Sequence, residues 1–347
     1  MIRNTDANDQ GTRQMNATTT PAAAPVTAAP EPASPSAPRM GRLRTADGLE
    51  LASYRWPAGD GTVPPRATLA LVHGLAEHAG RYAALAARLN AAGIDVLAID
   101  LRGHGQSPGK RAWVERFDGY LNDADALVAE AACGDTPLFL MGHSMGGAVA
   151  ALYAIERVPA RGHALAGLVL SSPALAPGRD VPRWMLAMSR FISRAWPSFP
   201  AIRIDAALLS RDPAVVAANR ADPLVHHGAV PARTGAEILD AMARIERRRG
   251  ALRVPVLVYH GTEDKLTEPD GSRAFGAHVG SPDRTLTLYE GGFHETMNDL
   301  ERDRVIDALI AWIHARVPLK ARCAAAGQMP ASTRRCATTL RPSADRL

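Results

Sequence analysis

The sequence lacks the features that mark membrane, secreted, disulfide-rich or zinc-binding proteins. None of its apolar runs approaches the roughly 18 to 20 residues that a membrane-spanning helix needs. Residues 1–16, MIRNTDANDQGTRQMN, have no apolar centre of the kind a secretory signal requires, so we expect a cytoplasmic protein. The three cysteines, Cys133, Cys323 and Cys336, form no CxxC pair and indicate neither a disulfide framework nor a zinc site.

Net charge is also close to zero outside one end of the chain. The formal net charge is +5, and residues 319–347 carry all of the excess; their basic residues are Lys320, Arg322, Arg334, Arg335, Arg341 and Arg346. This segment predicts a solvated, disordered tail, with contact to an anionic surface as the alternative. It has no aromatic residues for base stacking, which argues against a nucleic-acid partner. Residues 1–40 are rich in Ala and Pro and predict a disordered N-terminal extension.

What the sequence does have is a regular alternation of strand-like and helical stretches. Continuous apolar runs are typical of strands buried on both faces. The helical stretches between them include residues 81–93 and 117–132. The alternation predicts an α/β fold with a mostly parallel central sheet covered by helices on both faces. The predicted strands are ATLALVHG (67–74), IDVLAID (94–100), PLFLMGHS (137–144), LAGLVLSSPA (165–174), VPVLVYHG (254–261) and RTLTLYEG (284–291).

Residues 177–246 interrupt this alternation, and no strand is apparent in them. They begin with an amphipathic helix that Pro182 opens and Pro197 stops. At 100° per residue, four large apolar side chains gather on one side of it. This face could pack on the domain beneath, line an apolar substrate tunnel or touch lipid. If it lines a tunnel, the substrate-binding residues are Trp184, Met188, Phe191 and Ile192.

The clearest chemical signal is the G-x-S-x-G pattern Gly142-His143-Ser144-Met145-Gly146, which lies between a predicted strand and an Ala-rich helix. Such a turn exposes the serine hydroxyl and needs glycine on either side, because larger side chains would collide with neighbouring elements. Ser144 is therefore the predicted nucleophile.

A serine nucleophile needs a histidine base and an orienting carboxylate, which follow it in that fold in the order Ser, Asp or Glu, His. Asp264 lies in the loop after one predicted strand, and His294 lies in the loop after the next. Both positions are at the carboxyl ends of strands, where sites of open α/β sheets are built. Glu263 and Asp270 are neighbouring alternatives for the acid.

Attack on an ester also creates an oxyanion that preorganised N–H donors must stabilise. In this architecture the donors are the residue after the nucleophile and a residue in the loop after an earlier strand. The His73-Gly74 turn is that loop, so Met145 and Leu75 are the predicted backbone donors, and Glu77, His78 and Arg81 are expected to brace the turn.

Nothing in the sequence indicates a cofactor or a catalytic metal. No two histidines lie at i, i+4 with a third ligand nearby. The glycine-rich stretch DLRGHGQSPGKR (100–111) lacks both common phosphate-binding patterns. His143 and His260 are expected to be structural.

Together, HGLAEHAGRY, DLRGHGQSPGKR, GHSMGG, TEDKL and GGFHE resemble the monoacylglycerol lipase and lysophospholipase branch of the α/β-hydrolase fold. The resemblance covers roughly residues 41–318. It implies a Ser144–Asp264–His294 triad, an oxyanion hole of Leu75 and Met145, and a helical cap at 177–246 over an acyl-binding pocket. The core would comprise 41–176 and 247–318, and the tails 1–40 and 319–347 have no family counterpart.

The resemblance implies a cofactor-free serine hydrolase that cleaves monoacylglycerols or similar single-chain lipid esters through an acyl-enzyme. Alternative substrates are lysophospholipids, small carboxylic esters and peptides. A binding or scaffold protein of the same fold would be expected to have lost a triad position, and none is lost. Peripheral membrane contact, through the cap or the basic tail, is a further possibility.

Overall fold

The computed structural model describes residues 37–59, 63–177 and 183–317, with the side chains of residues 183 and 185–187 left aside. The predicted tail at 319–347 lies outside the described residues, as does all but the end of the predicted extension at 1–40. The first strand begins at Arg39, so residues 39 and 40 belong to the sheet. Within the described ranges, no helix is long and apolar enough to span a bilayer.

The centre of the fold is an eight-stranded sheet with the order β1-β2-β4-β3-β5-β6-β9-β10. Pairing is antiparallel for β1–β2 and β2–β4 and parallel for every other neighbouring pair. The six predicted strands are all present, and the mostly parallel sheet is confirmed. The strands are β1 Arg39–Arg44, β2 Glu50–Trp56, β3 Ala67–Val72, β4 Ile94–Ile99, β5 Leu138–His143, β6 Leu165–Ser171, β9 Val256–Gly261 and β10 Arg284–Tyr289.

Helices cover both faces of this sheet, as the alternation predicts. Side chains of a strand alternate between faces, so Leu69 and Leu71 of β3 join one core while Ala70 and Val72 join the other. Helices α1 and α9 close the first core, and α2, α3 and α8 close the second. The bounds are α1 Ala83–Ala91, α2 Asp118–Ala131, α3 Met145–Glu156, α4 Val158–Arg161, α8 Pro269–His278 and α9 Arg302–His314, with short 3-10 helices at Ala79–Tyr82, Ala206–Leu208, Arg249–Ala251 and Thr296–Asn298.

The segment between β6 and β9 is mainly helical, but the expectation that it contains no strand is wrong. It comprises α5 Arg183–Ala195, β7 Pro200–Ile202, α6 Pro213–Ala221, β8 Val230–Pro231 and α7 Ala232–Arg248. Strands β7 and β8 pair antiparallel in a separate two-stranded sheet. They escape detection because each has at most three residues and contains a proline, which leaves no alternating pattern to read.

Helix α7 joins this segment to the rest of the protein. Its buried residues Ile238, Ala241 and Ile245 belong to the same core as α3. Helix α5 lies farther out and is linked to α7 by Arg190, whose Nε and Nη2 donate to Asp240 Oδ1 at 3.0 and 2.8 Å. The segment is thus anchored through α7, while α5 is free to present side chains to solvent.

Candidate active site

Ser144 occupies a strained turn between β5 and α3. Its φ of 54° and ψ of −120° lie in a region that non-glycine residues rarely adopt, at a cost of order 1–3 kcal/mol. Neighbouring backbone leaves no room for side chains, because a Cβ on Gly142 would lie 2.1 Å from the Gly146 oxygen, and one on Gly146 would lie 2.3 Å from the Val72 oxygen. The two glycines therefore permit the turn that lifts the serine above the sheet.

Asp264 and His294 meet where β9 and β10 end. His294 Nδ1 lies 2.7 Å from Asp264 Oδ2, and both residues are buried. A carboxylate can only accept, so Nδ1 carries the proton and donates it to Asp264, which leaves the Nε2 lone pair free. His294 and Ser144 line the same cavity. The imidazole is therefore in the tautomer that a general base for the serine needs.

Five groups surround the Asp264 carboxylate. Oδ1 accepts from the backbone N–H groups of Leu266 and Thr267 at 2.8 and 3.1 Å. Oδ2 is contacted by His294, by the Thr267 hydroxyl at 2.8 Å and by His260 Nε2 at 3.0 Å. Burial alone would raise the pKa of Asp264, but His294 and the hydrogen bonds outweigh burial and hold it well below its usual range.

The same contact acts in the opposite sense on His294. Burial disfavours the imidazolium, yet the Asp264 charge beside it outweighs burial and raises the pKa of His294 above its ordinary value of 6.5. The alternative acids lie elsewhere: Glu263 is exposed and pairs with Lys265 at 3.1 Å, and Asp270 pairs with Arg273 at 3.3 Å. The geometry thus favours Asp264 as the partner of His294.

The His73-Gly74 turn lies directly beside the nucleophile. A Cβ on Gly74 would lie 3.2 Å from Ser144 Cβ, and both Leu75 and Met145 line the cavity with Ser144. The Gly74 N–H donates to Glu77 Oε1 at 2.5 Å, and the Tyr82 hydroxyl donates to the same oxygen at 2.9 Å. The Glu77 carboxylate therefore fixes the turn from behind, as expected.

Arg81 joins this turn to the loop that carries the histidine. Its Nη1 donates to Glu77 Oε2 at 2.6 Å and to Glu295 Oε1 at 2.7 Å, and its Nη2 donates to Glu295 Oε2 at 2.9 Å. Burial would raise the pKa of Glu77, but the Arg81 charge outweighs it and lowers that pKa to about 2. Glu295 directly follows His294. The sequence gives no sign of its role, because the contact spans 214 positions.

A cavity of about 540 Å³ opens in front of Ser144. Its apolar wall comes from the segment between β6 and β9 and includes Met188 and Ile192 of α5 with Ile238, Leu239 and Met242 of α7. Its polar lining, which sequence reasoning missed, includes Arg203, Asn219, His226 and His227. The cavity is mostly apolar with few polar groups, as small-molecule sites usually are.

Helix α5 divides its apolar face between this cavity and solvent. Met188 and Ile192 line the cavity, whereas Trp184 and Phe191 are 65% and 67% exposed and are not among its lining residues. On a 100° wheel, 184 and 191 fall together on one edge of the face, and 192 lies on the other. The expectation that all four side chains line the tunnel therefore needs correction: two do, and two face outward.

His143 lies beside the histidine of the site. The His143 ring lies 4.8 Å from the His294 ring, and its Nδ1 is 3.0 Å from the Ser171 hydroxyl. Burial, with His294 nearby, lowers the pKa of His143 to about 4. In the part of the chain that the structure describes, no group of three or more His, Cys, Asp or Glu side chains is placed to hold a metal ion.

Comparison with known proteins places this geometry in a family. A family model described as Serine aminopeptidase, S33 matches residues 63–301. The monoacylglycerol lipase of Mycolicibacterium smegmatis is 39% identical over 251 residues, which are 72% of this chain and 88% of that protein. The human monoglyceride lipase is 34% identical over 282 residues, 79% of this chain and 90% of that protein.

A solved structure of a monoacylglycerol lipase is also similar to this chain. The crystal structure of Paleococcus ferrophilus monoacylglycerol lipase superposes with a TM-score of 0.68 at 33% identity and covers 77% of this chain and 99% of that one. The chain therefore belongs to the serine aminopeptidase S33 family, it has the α/β-hydrolase fold, and it is a carboxylic ester hydrolase of the monoacylglycerol lipase branch.

Proposed function

We propose that the protein hydrolyses monoacylglycerols through an acyl-enzyme on Ser144, with Asp264 and His294 as the other triad members. The observation that carries this proposal is the 2.7 Å contact between His294 Nδ1 and Asp264 Oδ2, with His294 and Ser144 lining the same apolar cavity. The names of the relatives support the choice of a monoglyceride as substrate.

Acylation begins when the Ser144 oxygen attacks the ester carbonyl and His294 Nε2 takes the hydroxyl proton. The carbonyl oxygen becomes an anion, which the backbone N–H groups of Leu75 and Met145 stabilise. Asp264 keeps its negative charge and stabilises the imidazolium that forms. Collapse of the intermediate breaks the ester bond, and His294 returns the proton to the glycerol oxygen that leaves.

Deacylation repeats these steps with water. His294 Nε2 takes a proton from a water molecule, whose oxygen attacks the acyl carbon on Ser144. The same N–H donors hold the second oxyanion. When it collapses, the proton on His294 passes to Ser144, and a free fatty acid leaves. Each proton that His294 accepts is returned, so the cycle needs neither a metal nor a redox cofactor.

The separate apolar and polar parts of the cavity lining support a substrate with one acyl chain. The apolar wall formed by α5 and α7 would hold the chain, and the polar lining near His226 would face the head group. A covered cavity of about 540 Å³ admits one chain more easily than two. In this proposal Met188 and Ile192 contact the acyl chain, and residues 177–246 act as a cap on the core.

The exposed edge of α5 supports transient contact with lipid surfaces. Trp184 and Phe191 of α5, and Trp196 directly after the helix, are each more than 60% exposed. Aromatic side chains of this kind partition into the headgroup region of a bilayer, where a monoacylglycerol also resides. We therefore propose a protein that works in the cytoplasm and samples membranes through its cap.

Labelling with a fluorophosphonate and a panel of esters test the proposal. Wild-type protein should react with the probe, and Ser144→Ala should not. Monoacylglycerols should be cleaved faster than di- and triacylglycerols and lysophospholipids that carry the same acyl chain, and faster than acetyl esters. Faster cleavage of a lysophospholipid would change the head-group assignment, and faster cleavage of aminoacyl amides would make the protein a peptidase.

A further inference from the structure

A second histidine touches the carboxylate of the proposed triad. His260 lies at the end of β9, next to Gly261, and its side chain is completely buried. Its Nε2 is 3.0 Å from Asp264 Oδ2, and its Nδ1 is 2.7 Å from the hydroxyl of Ser272 on α8. Asp264 Oδ2 is thus contacted by two imidazoles, those of His260 and His294.

The surroundings of His260 fix which nitrogen carries the proton. A carboxylate oxygen has only lone pairs, so a lone pair on Nε2 would face another at 3.0 Å and be repelled. A proton on Nε2 turns this contact into a charge-assisted hydrogen bond. The Ser272 hydroxyl can then donate to Nδ1. Thr267, whose hydroxyl lies 3.2 Å from His260 Nε2, has alternative acceptors in Asp264 Oδ2 at 2.8 Å and the Ser172 carbonyl at 3.0 Å.

We infer that His260 is a positioning residue for catalysis, which donates a hydrogen bond from Nε2 to Asp264 and so orients the carboxylate toward His294. Without this donor, Oδ2 would keep only His294 and the Thr267 hydroxyl, while the backbone N–H groups of Leu266 and Thr267 would still hold Oδ1. Oδ2 would therefore be directed less firmly toward His294. Oriented carboxylates fix the tautomer and the direction of a catalytic imidazole. The inference rests on the proposed roles of Ser144, Asp264 and His294.

The donor also sets how strongly Asp264 holds the proton of His294. A hydrogen bond from His260 withdraws charge from Oδ2, so its loss should make the carboxylate more basic and favour the imidazolium form of His294. The other titratable groups that face His294 are His143, whose ring is 4.8 Å away, and the carboxylates of Glu77 and Glu295. Variants of His260 leave all three in place, so a change in the pH profile reports on Asp264.

Two variants test the contacts of the two nitrogens of His260 separately. The amide of His260→Gln reaches the position of Nε2 and can still donate to Asp264, whereas the amide of His260→Asn reaches only the position of Nδ1 and can contact Ser272. We expect His260→Gln to keep kcat within about twofold of wild type. His260→Asn should lose about tenfold or more in kcat at unchanged KM, because a hydrogen bond to a charged group is lost. In the His260→Asn variant, the acidic inflection of the pH profile of kcat should also move to higher pH.

Equal kcat values and equal pH profiles for the two variants would overturn the inference and leave His260 as a packing residue. If His260→Asn does not fold, ¹⁵N NMR of histidine-labelled wild-type protein decides instead. A proton on Nε2 of His260, assigned by loss of its signal in His260→Gln, supports the inference, and a bare Nε2 refutes it. Ser144→Ala belongs in the same panel, since full activity there would refute the triad itself, whatever His260 does.

Discussion

Replacing Arg81 by methionine should destabilise the protein far more than replacing an ordinary surface arginine. Arg81 is the only cation in a chain of three buried charges, with side-chain exposures of 8% for Glu77, 11% for Arg81 and 2% for Glu295. Methionine fills a similar length without the charge and leaves two carboxylates buried near each other. Removing one partner from a buried ion pair typically costs about 3–5 kcal/mol in the free energy of unfolding.

The matched control is Arg88→Met. Arg88 also forms two ion pairs, with Asp303 and Asp307, but these carboxylates are 77% and 66% exposed. Exposed pairs contribute about 0–1 kcal/mol, so the control should unfold close to wild type. Equilibrium urea unfolding followed by tryptophan fluorescence measures both differences. Because Arg81 also joins the Gly74 turn to the residue after His294, only Arg81→Met should lose ester hydrolysis under conditions where it remains folded.

The pH dependence of this difference gives a second check. In the wild type the pKa of Glu77 lies at about 2, below its ordinary value of 4.5. Its stabilising contribution is therefore complete above pH 4.5 and is lost as the pH falls through about 2. Without Arg81, burial raises the pKa of Glu77, so Glu77 is protonated in mild acid. Its protonation removes the repulsion between the two buried carboxylates and stabilises the variant. The gap between Arg81→Met and wild type should shrink from pH 7 to pH 5. Equal unfolding midpoints for the two arginine variants would refute the reasoning.

Three further outcomes are expected. Ser144→Ala and His294→Ala should each lower kcat by about 10⁴-fold or more, and the double variant should be no worse than either single one, because the two act as a unit; additive losses would contradict that unit. The kcat/KM for a soluble ester should fall as the pH drops through the raised pKa of His294, above 6.5, since only neutral imidazole accepts the serine proton. A kcat/KM that does not change down to pH 5.5 would exclude His294 as the base. Ile192→Ser should slow long-chain esters more than acetyl esters, whereas the exposed Phe191→Ser should leave the chain-length profile unchanged; identical profiles would show that α5 does not contact the chain.

The sequence predicts the parts of the site that are encoded locally. Ser144 stands out because its turn needs glycines two residues away on each side. Asp264 and His294 stand out because each follows an apolar strand, and parallel strands bring their carboxyl ends to one edge of the sheet. The six parallel strands can also be predicted: five are mostly buried apolar runs, and β10, at the edge of the sheet, has the alternating sequence RTLTLY.

Features that depend on tertiary contacts cannot be found in this way. Strands β1 and β2 lie at the antiparallel end of the sheet, and the polar sequence RMGRLR of β1 gives no apolar run. His260 and Glu295 meet their partners only once the loops are folded. Helix α5 shows a further limit, because its apolar face is visible in the sequence but the division between the cavity and solvent depends on how it lies against α7.

Trapping of the acyl-enzyme tests the central proposal most directly. Wild-type protein would be quenched in acid during turnover of a monoacylglycerol, digested, and its peptides weighed by mass spectrometry. The acyl group of the substrate should be found on the peptide that contains Ser144, and it should be absent from Ser144→Ala. Cleavage of the glyceride by Ser144→Ala, or an acyl group on any other residue, would contradict the assignment of Ser144 as the nucleophile.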